Sequence, residues 1–130
     1  MGTRLTGSDV KAVNITADTV ALDADGISVA AAVGNNAALT IGGALASGGS
    51  VTLSHGRIVT ILSAGDDSAI SFTVVGTDVD GDAQTESITG ANAGTATGAV
   101  YFLTVTSITA VGDPAGNVSA GVNASAADVI

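Results

Sequence analysis

The residues best suited to chemistry are three aspartates that alternate along one short segment. Asp78, Asp80 and Asp82 have the spacing with which an EF-hand calcium loop begins. In that loop a glycine is the sixth residue and a glutamate the twelfth, whereas here Gly81 is the fourth and Thr89 the twelfth. The segment is a candidate calcium site that departs from the motif, and a solvent-exposed hairpin tip is the alternative interpretation.

The other reactive side chains do not form a catalytic pattern. His55 is the only histidine, and its neighbour Ser54 could serve a triad only if an orienting acid converged on both in space. Glu86 has no second carboxylate at a spacing suited to acid–base catalysis. The glycine-rich stretch at 42–49 lacks the lysine of a phosphate-binding loop, and the chain has no cysteine. We therefore expect no enzymatic activity, no catalytic residue and no cofactor.

The charge balance restricts the classes of partner. Twelve carboxylates face only three permanent cations, which gives a formal net charge of −9. Nucleic acids and anionic membrane surfaces attract clustered lysine and arginine, so neither is expected as a partner. Residues 27–54 carry no charge, but their asparagines, glycines and serines exclude a membrane span. The three cations, Arg4, Lys11 and Arg57, are the candidate contacts to a protein partner.

The composition predicts one all-β domain. Hydrophobic residues make up 46% of the 130 residues, yet aromatic residues only 2%, so much of the hydrophobicity is alanine and the core should be thin. Eighteen glycines and a single proline, among many threonines and serines, are typical of short strands joined by glycine turns. A thin core favours a protein that gains stability from its partners.

The clearest local pattern is a hairpin over residues 70–88. Ile70, Phe72 and Val74 alternate with polar residues, as in a half-buried strand. The pair Asp80-Gly81 then predicts a tight turn in which both central residues have positive φ. Residues 84–88 alternate again on the return.

Further strands are predicted on both sides of this hairpin, at 27–33, 37–41, 50–54, 57–62, 100–109 and 117–122, with 57–62 central in the sheet. No long helix is predicted, so we expect an antiparallel β-sandwich or an Ig-like or barrel-like domain over residues 23–122. Residues 1–22 are predicted to form an extended arm that pairs with a sheet edge of another subunit, a flexible terminus being the alternative. Residues 123–130 are a short tail.

The strand and turn pattern resembles a widespread set of small glycine- and threonine-rich structural proteins of tailed bacteriophages. The similarity covers about residues 25–122. The segments that carry it are DGISVAAA at 25–32, ALTIGGALASGG at 38–49, RIVTI at 57–61, SAGDDS at 63–68, FTVVGTD at 72–78, TESITGANAG at 85–94, YFLTVTSI at 101–108 and AGNVS at 115–119.

The resemblance implies a virion component, most plausibly a capsid decoration (cement) protein that binds the outside of the shell. It transfers no catalytic residue. It implies the major capsid protein as partner, a homo-oligomer with a trimer favoured, and synthesis in the cytoplasm of a bacterial host; the first residues also lack the apolar stretch of a signal peptide. A tail, fibre or connector protein, with or without glycan binding, is the alternative.

Overall fold

The computed structural model describes residues 23–123. The predicted arm at 1–22 and the tail beyond Asn123 therefore lie outside the described residues. Within that range the protein is all-β and contains no helix, as the sequence predicts. No helix there is long and apolar enough to cross a membrane. The strands are β1 (Asp23–Ala32), β2 (Ala46–Ser47), β3 (Ser50–Ser63), β4 (Ser71–Thr77), β5 (Ala83–Thr89), β6 (Thr95–Val111) and β7 (Asn117–Val122).

These strands form one antiparallel sheet in the order β1-β7-β3-β6-β4-β5, with the short β2 also paired to β3. The dense apolar run at 57–62 lies in β3 and is central, as predicted, because β7 and β6 flank it. The segment that follows β1 returns to the far end of β6, where Leu39 donates to the carbonyl of Ile108 and Ala110 donates to that of Ala37. This return places residues 37–39 beside the end of β6, while β1 itself stays at the edge of the sheet.

The two longest strands, β3 and β6, pair along most of their length, but their ladder is interrupted twice. Between the pairs Thr52–Thr104 and Arg57–Phe102, β3 contains the extra residues. Between the pairs Ile58–Tyr101 and Thr60–Thr97, the extra residues are in β6. Such irregularities bend and twist the strands that carry them and leave local backbone groups to find other partners.

The central hairpin is confirmed, with Phe72 opposite Ile88 in the β4–β5 pair. The turn differs from the prediction, because Gly81 has φ of 88° and no other residue of the turn has positive φ. Asp78 donates to the carbonyl of Asp82 at 2.9 Å, and Gly81 donates to that of Asp78 at 3.1 Å. These bonds fit a three-residue hairpin loop that ends in one left-handed glycine.

Several boundaries differ from the sequence interpretation, among them the start of β6, which is at Thr95 and not at the predicted residue 100. The predicted turn at 23–26 belongs to β1, whose register with β7 shifts after Asp23. The predicted strands at 50–54 and 57–62 are one strand, since the extra residues between them stay within β3. Of the predicted strand at 37–41 only a single bridge from Ala38 to Thr109 is formed. In β1 and β3 pairing across the sheet overrode a local glycine or polar signal, and at 37–41 a local alternating pattern did not lead to a full strand.

The core is built from β-branched and aliphatic side chains with two aromatic rings. Phe72 and Phe102 are the largest buried side chains. The other fully or nearly buried apolar residues are Ile27, Leu39, Val51, Leu53, Val59, Ile61, Val74, Ile88, Val105, Ile108, Ala110, Val118, Ala120 and Val122. Because none of these exceeds leucine or isoleucine in size, the backbones must approach closely to leave no voids.

The backbones of β4 and β6 approach each other closely at Gly76. The register shifts between Val75 and Gly76, and the hydroxyl of Thr106, the extra residue on β6, donates to the carbonyl of Val75 at 3.1 Å. Next to it, the Thr77 and Thr104 hydroxyls lie 2.7 Å apart. The bulge therefore brings the backbone of Thr104 against Gly76.

Replacing Gly76 with alanine should destabilise the domain by about 2 kcal/mol or more. The new Cβ would lie 1.9 Å from the carbonyl oxygen of Thr104, so the two strands would have to separate. Urea denaturation would measure the change in the free energy of unfolding. Gly34→Ala is the matched control, because its Cβ would meet only the Cβ of Ala37, at 3.8 Å. Equal losses in both variants would contradict the proposed close packing.

Candidate functional site

The three aspartates of the candidate calcium site are arranged as a hairpin cap. One oxygen of the Asp78 carboxylate, Oδ1, accepts the backbone N–H groups of Asp80 at 2.8 Å and Asp82 at 3.0 Å. That oxygen faces the backbone of its own turn, which is the usual role of an aspartate at the start of a turn. Nowhere in residues 23–123 do three acidic or histidine side chains converge in a group that could hold a metal ion. The geometry therefore favours the hairpin-tip interpretation.

The remaining candidates for chemistry are Ser54, His55 and Glu86, and each forms a hydrogen bond within the domain. The Ser54 hydroxyl lies 3.1 Å from Nδ1 of His55, a contact between sequence neighbours. The Glu86 carboxylate reaches across to β6, where the backbone N–H of Ala99 donates to its Oε2. Gln84, two residues earlier, donates from Nε2 to the carbonyl of Tyr101.

The side chains of Gln84 and Glu86 thus form hydrogen bonds with the backbone of β6 beside its irregular segment. There the regular ladder with β3 is broken, and two side chains from β5 supply partners for an N–H and a carbonyl. Gly98 leaves room for this, since a Cβ there would lie 2.6 Å from Oε1 of Glu86. The glutamate has a structural position rather than an acid–base one.

Arg57, one of the three predicted partner contacts, lies largely inside the domain. Only 4% of its surface is exposed, and its guanidinium donates to the carbonyl of Asn123. Burial lowers the pKa of the Arg57 guanidinium, and the nearby Asp23 opposes that shift. A role in partner contact would need this burial to change. The other two, Arg4 and Lys11, lie outside the described residues.

The surface of residues 23–123 carries a compact apolar feature, which we call the tip patch and define as Gly56, Val79 and Tyr101. Val79 at the hairpin tip and Tyr101 on β6 are each 57% exposed. Both lie against Gly56: a Cβ on that glycine would lie 2.9 Å from Cγ1 of Val79 and 3.2 Å from Cβ of Tyr101. The patch lies at the first interruption of the β3–β6 ladder, and the acidic hairpin residues border it.

Sequence reasoning missed the tip patch, although one signal pointed to it. Val79 is a large apolar residue between Asp78 and Asp80, in a turn where polar residues are expected. Nothing in the sequence indicated that the chain's only tyrosine would lie beside it.

A second missed feature is the buried carboxylate of Asp67. The residue is fully buried, and its Oδ1 accepts the backbone N–H of Ala115 at 2.7 Å. Its own N–H donates to the carbonyl of Ala91 at 3.0 Å, and its carbonyl accepts the N–H of Ile70 at 2.9 Å. Asp67 therefore joins three loops, at 64–70, 90–94 and 112–116. Its Oδ2 is buried and accepts no hydrogen bond from residues 23–123.

The neighbouring Asp66 has a different environment. Its carboxylate is exposed and accepts the hydroxyl of Ser68 at 2.7 Å and the backbone N–H of Ser68 at 3.1 Å. Those two bonds, the hydroxyl first, lower the pKa of the Asp66 carboxyl. Of this adjacent pair, Asp66 therefore stabilises a turn at the surface, whereas Asp67 is buried and hydrogen-bonds to other loops.

Comparisons with protein-family models, curated proteins and solved structures give no match for this chain. The functional argument therefore starts from the chain's own residues.

Replacing Asp67 with alanine should cost about 2 kcal/mol of unfolding free energy, because a fully buried side chain and its hydrogen bond to the N–H of Ala115 would both be lost. Asp67→Asn should cost less, since its side-chain carbonyl can still accept that bond and no charge is buried. Urea denaturation of both variants measures the difference. An asparagine variant as unstable as the alanine variant would show that the tie to Ala115 is not what Asp67 contributes.

Proposed function

We propose that this protein is a non-enzymatic structural component of a bacteriophage virion, which binds the outside of the capsid and stabilises the shell as a decoration protein. The major capsid protein is its proposed partner. The protein acts as a homo-oligomer, for which a trimer is favoured, and no cofactor takes part.

The observation that supports a binding role best is the tip patch. In a chain with three aromatic residues, two phenylalanines are buried, while the one tyrosine is displayed beside an exposed valine. Tyrosine is enriched at the centres of protein–protein interfaces because it buries a large rigid ring and keeps a polar hydroxyl. A pair of this kind on a small acidic domain fits a docking point for another protein.

The positions of the polar side chains support the non-enzymatic part of the proposal. Asp78, Glu86 and Asp67, the carboxylates with the most defined surroundings, each accept backbone N–H groups. These bonds stabilise turns and irregular strands. The residues that could do chemistry are thus used in building the domain.

Cementing a shell requires no reaction. A decoration protein buries surface across the joints between capsid subunits, so opening of the lattice must first break those contacts. The phage-protein resemblance of residues 25–122 is the reason to name a capsid as the surface. An acidic exterior also keeps the free protein soluble until it meets the shell.

Residues 1–22 are proposed as the anchoring arm, because they contain Arg4 and Lys11, two of the three cations. The test uses capsids expanded without this protein. The full chain should bind them and give regular density at symmetry or local-symmetry axes in images, whereas a chain lacking residues 1–22 should stay folded and fail to bind. Retained binding by the truncated chain would contradict the arm. Binding of the full chain to tails or host cells instead of shells would favour the tail, fibre or connector alternative.

The tip patch gives a second prediction. Tyr101→Ser and Val79→Ser should each weaken binding to capsids by about tenfold or more, the usual effect of truncating a central interface residue. Val111→Ser is the matched control, because Val111 is also an exposed large apolar residue but lies ten positions farther along β6. Circular dichroism checks that all three remain folded. Unchanged binding in the two tip variants would remove the patch from the interface.

A further inference from the structure

We infer that the open edge of β1 is a contact between two copies of this chain, which pair their β1 strands antiparallel about a two-fold axis. The inference goes beyond the proposed function, since it needs no capsid and concerns a different surface from the tip patch.

The first observation is an open edge of the sheet. β1 is the last strand on its side and pairs only with β7. Along the first half of its outer edge the chain itself supplies partners, because Gly42 and Gly43 donate to the carbonyl of Ile27 and Leu45 donates to that of Gly26. Beyond Ile27 no strand within residues 23–123 pairs with this edge.

The second observation is the composition of the open half. Residues 29–32 are Val-Ala-Ala-Ala, all four are exposed, and Val29 is 52% exposed. Soluble proteins usually protect such an edge with lysine, proline or an inward-pointing charge, and this edge has none of them. Small side chains also let a second backbone approach to hydrogen-bonding distance along the whole stretch.

Charge identifies a second copy as the partner that fits. The chain carries a net charge of −9, so most contacts between two copies would bring carboxylates together. Residues 27–54 contain no charged residue, and the open edge lies inside that stretch. In a two-fold antiparallel pair in which Ala30 or Ala31 lies opposite its own counterpart, Asp25 of each copy would lie opposite residue 35 or 37 of the other, and both of those residues are uncharged.

The edge strand on the other side of the sheet, β5, is less suitable for a contact between two copies. The outer edge of β5 is also open, and Thr85 and Ser87 are exposed on it. One end of β5, however, follows Asp82 and the acidic hairpin tip, and the other leads to the loop beside the exposed Asp66. Pairing through β5 would therefore bring carboxylates of two copies closer than pairing through β1.

A contact of this kind is isologous, because each copy offers the same strand to the other. It extends one antiparallel sheet through two subunits by main-chain hydrogen bonds. Combined with a three-fold arrangement, it would link one trimer to the next.

The absence of cysteine permits a direct test in the full chain. Single-cysteine variants at Val29, Ala30, Ala31 and Ala32 are oxidised alone and in pairwise mixtures, and disulfide-linked dimers are followed on non-reducing gels. In an antiparallel pair the residue number rises along one strand as it falls along the other, so the numbers of any two opposed residues add up to the same sum. We therefore expect rapid dimer formation for the cysteine combinations that share one such sum and slow formation for the others. Thr85→Cys and Ser87→Cys on the open β5 edge are the controls and should cross-link slowly.

A second measurement does not depend on cysteine. The unmodified chain should show a concentration-dependent dimer in sedimentation, and Ala31→Lys should weaken its association about tenfold by bringing two like charges together. Ala31→Ser, which adds no charge, should have little effect.

Several results would overturn the inference. One is a chain that stays monomeric at every concentration, and another is β1 variants that cross-link no faster than the β5 controls. Cross-links between β1 and β5 cysteines would show a head-to-tail contact instead. Cross-links of β1 that appear only after removal of residues 1–22 would show that this segment covers the edge. Because no capsid is present in these experiments, none of these outcomes tests the proposed capsid binding, which has a separate assay.

Discussion

The pairing of β3 with β6 is the interaction on which the rest of the structure depends. These are the two longest strands. Every other strand pairs either with one of them or with a strand that is itself paired to one of them. Their ladder does not run evenly, since first β3 and then β6 contains extra residues. Each interruption leaves a place that side chains from the β4–β5 hairpin occupy.

The two interruptions explain why polar residues of the hairpin have structural rather than chemical positions. At the β6 irregularity, Glu86 and Gln84 bond to the backbone of Ala99 and Tyr101. At the β3 irregularity, Gly56 has no side chain, and Val79 and Tyr101 cover it from outside. The uneven β3–β6 ladder therefore requires carboxylate and amide partners at its second interruption and carries the exposed apolar pair at its first. Stability and the proposed binding surface have a common origin.

The thin core has a related consequence. With two buried phenylalanines and otherwise small aliphatic residues, the domain relies on close backbone contacts such as those at Gly76 and on the loop tie made by Asp67. Such a domain has little apolar surface left for display. Two of the places where such surface is exposed, the tip patch and the open half of β1, are the ones proposed here for contact with other proteins.

The sequence by itself determined the fold class, because alternating side chains and glycine turns report strands directly: β4, β5 and β7, and the central position of residues 57–62, follow from pattern alone. It also determined that the carboxylates at 78, 80 and 82 depart from a calcium loop. Only the tertiary structure decided that residues 50–63 are one strand, that Arg57 and Asp67 are buried, and that Val79 and Tyr101 both lie against Gly56. The physical reason is that periodicity is a property of neighbours in the chain. Burial, by contrast, depends on register between segments as far apart as Asp67 and Ala115, and bulges that shift this register leave no local signature.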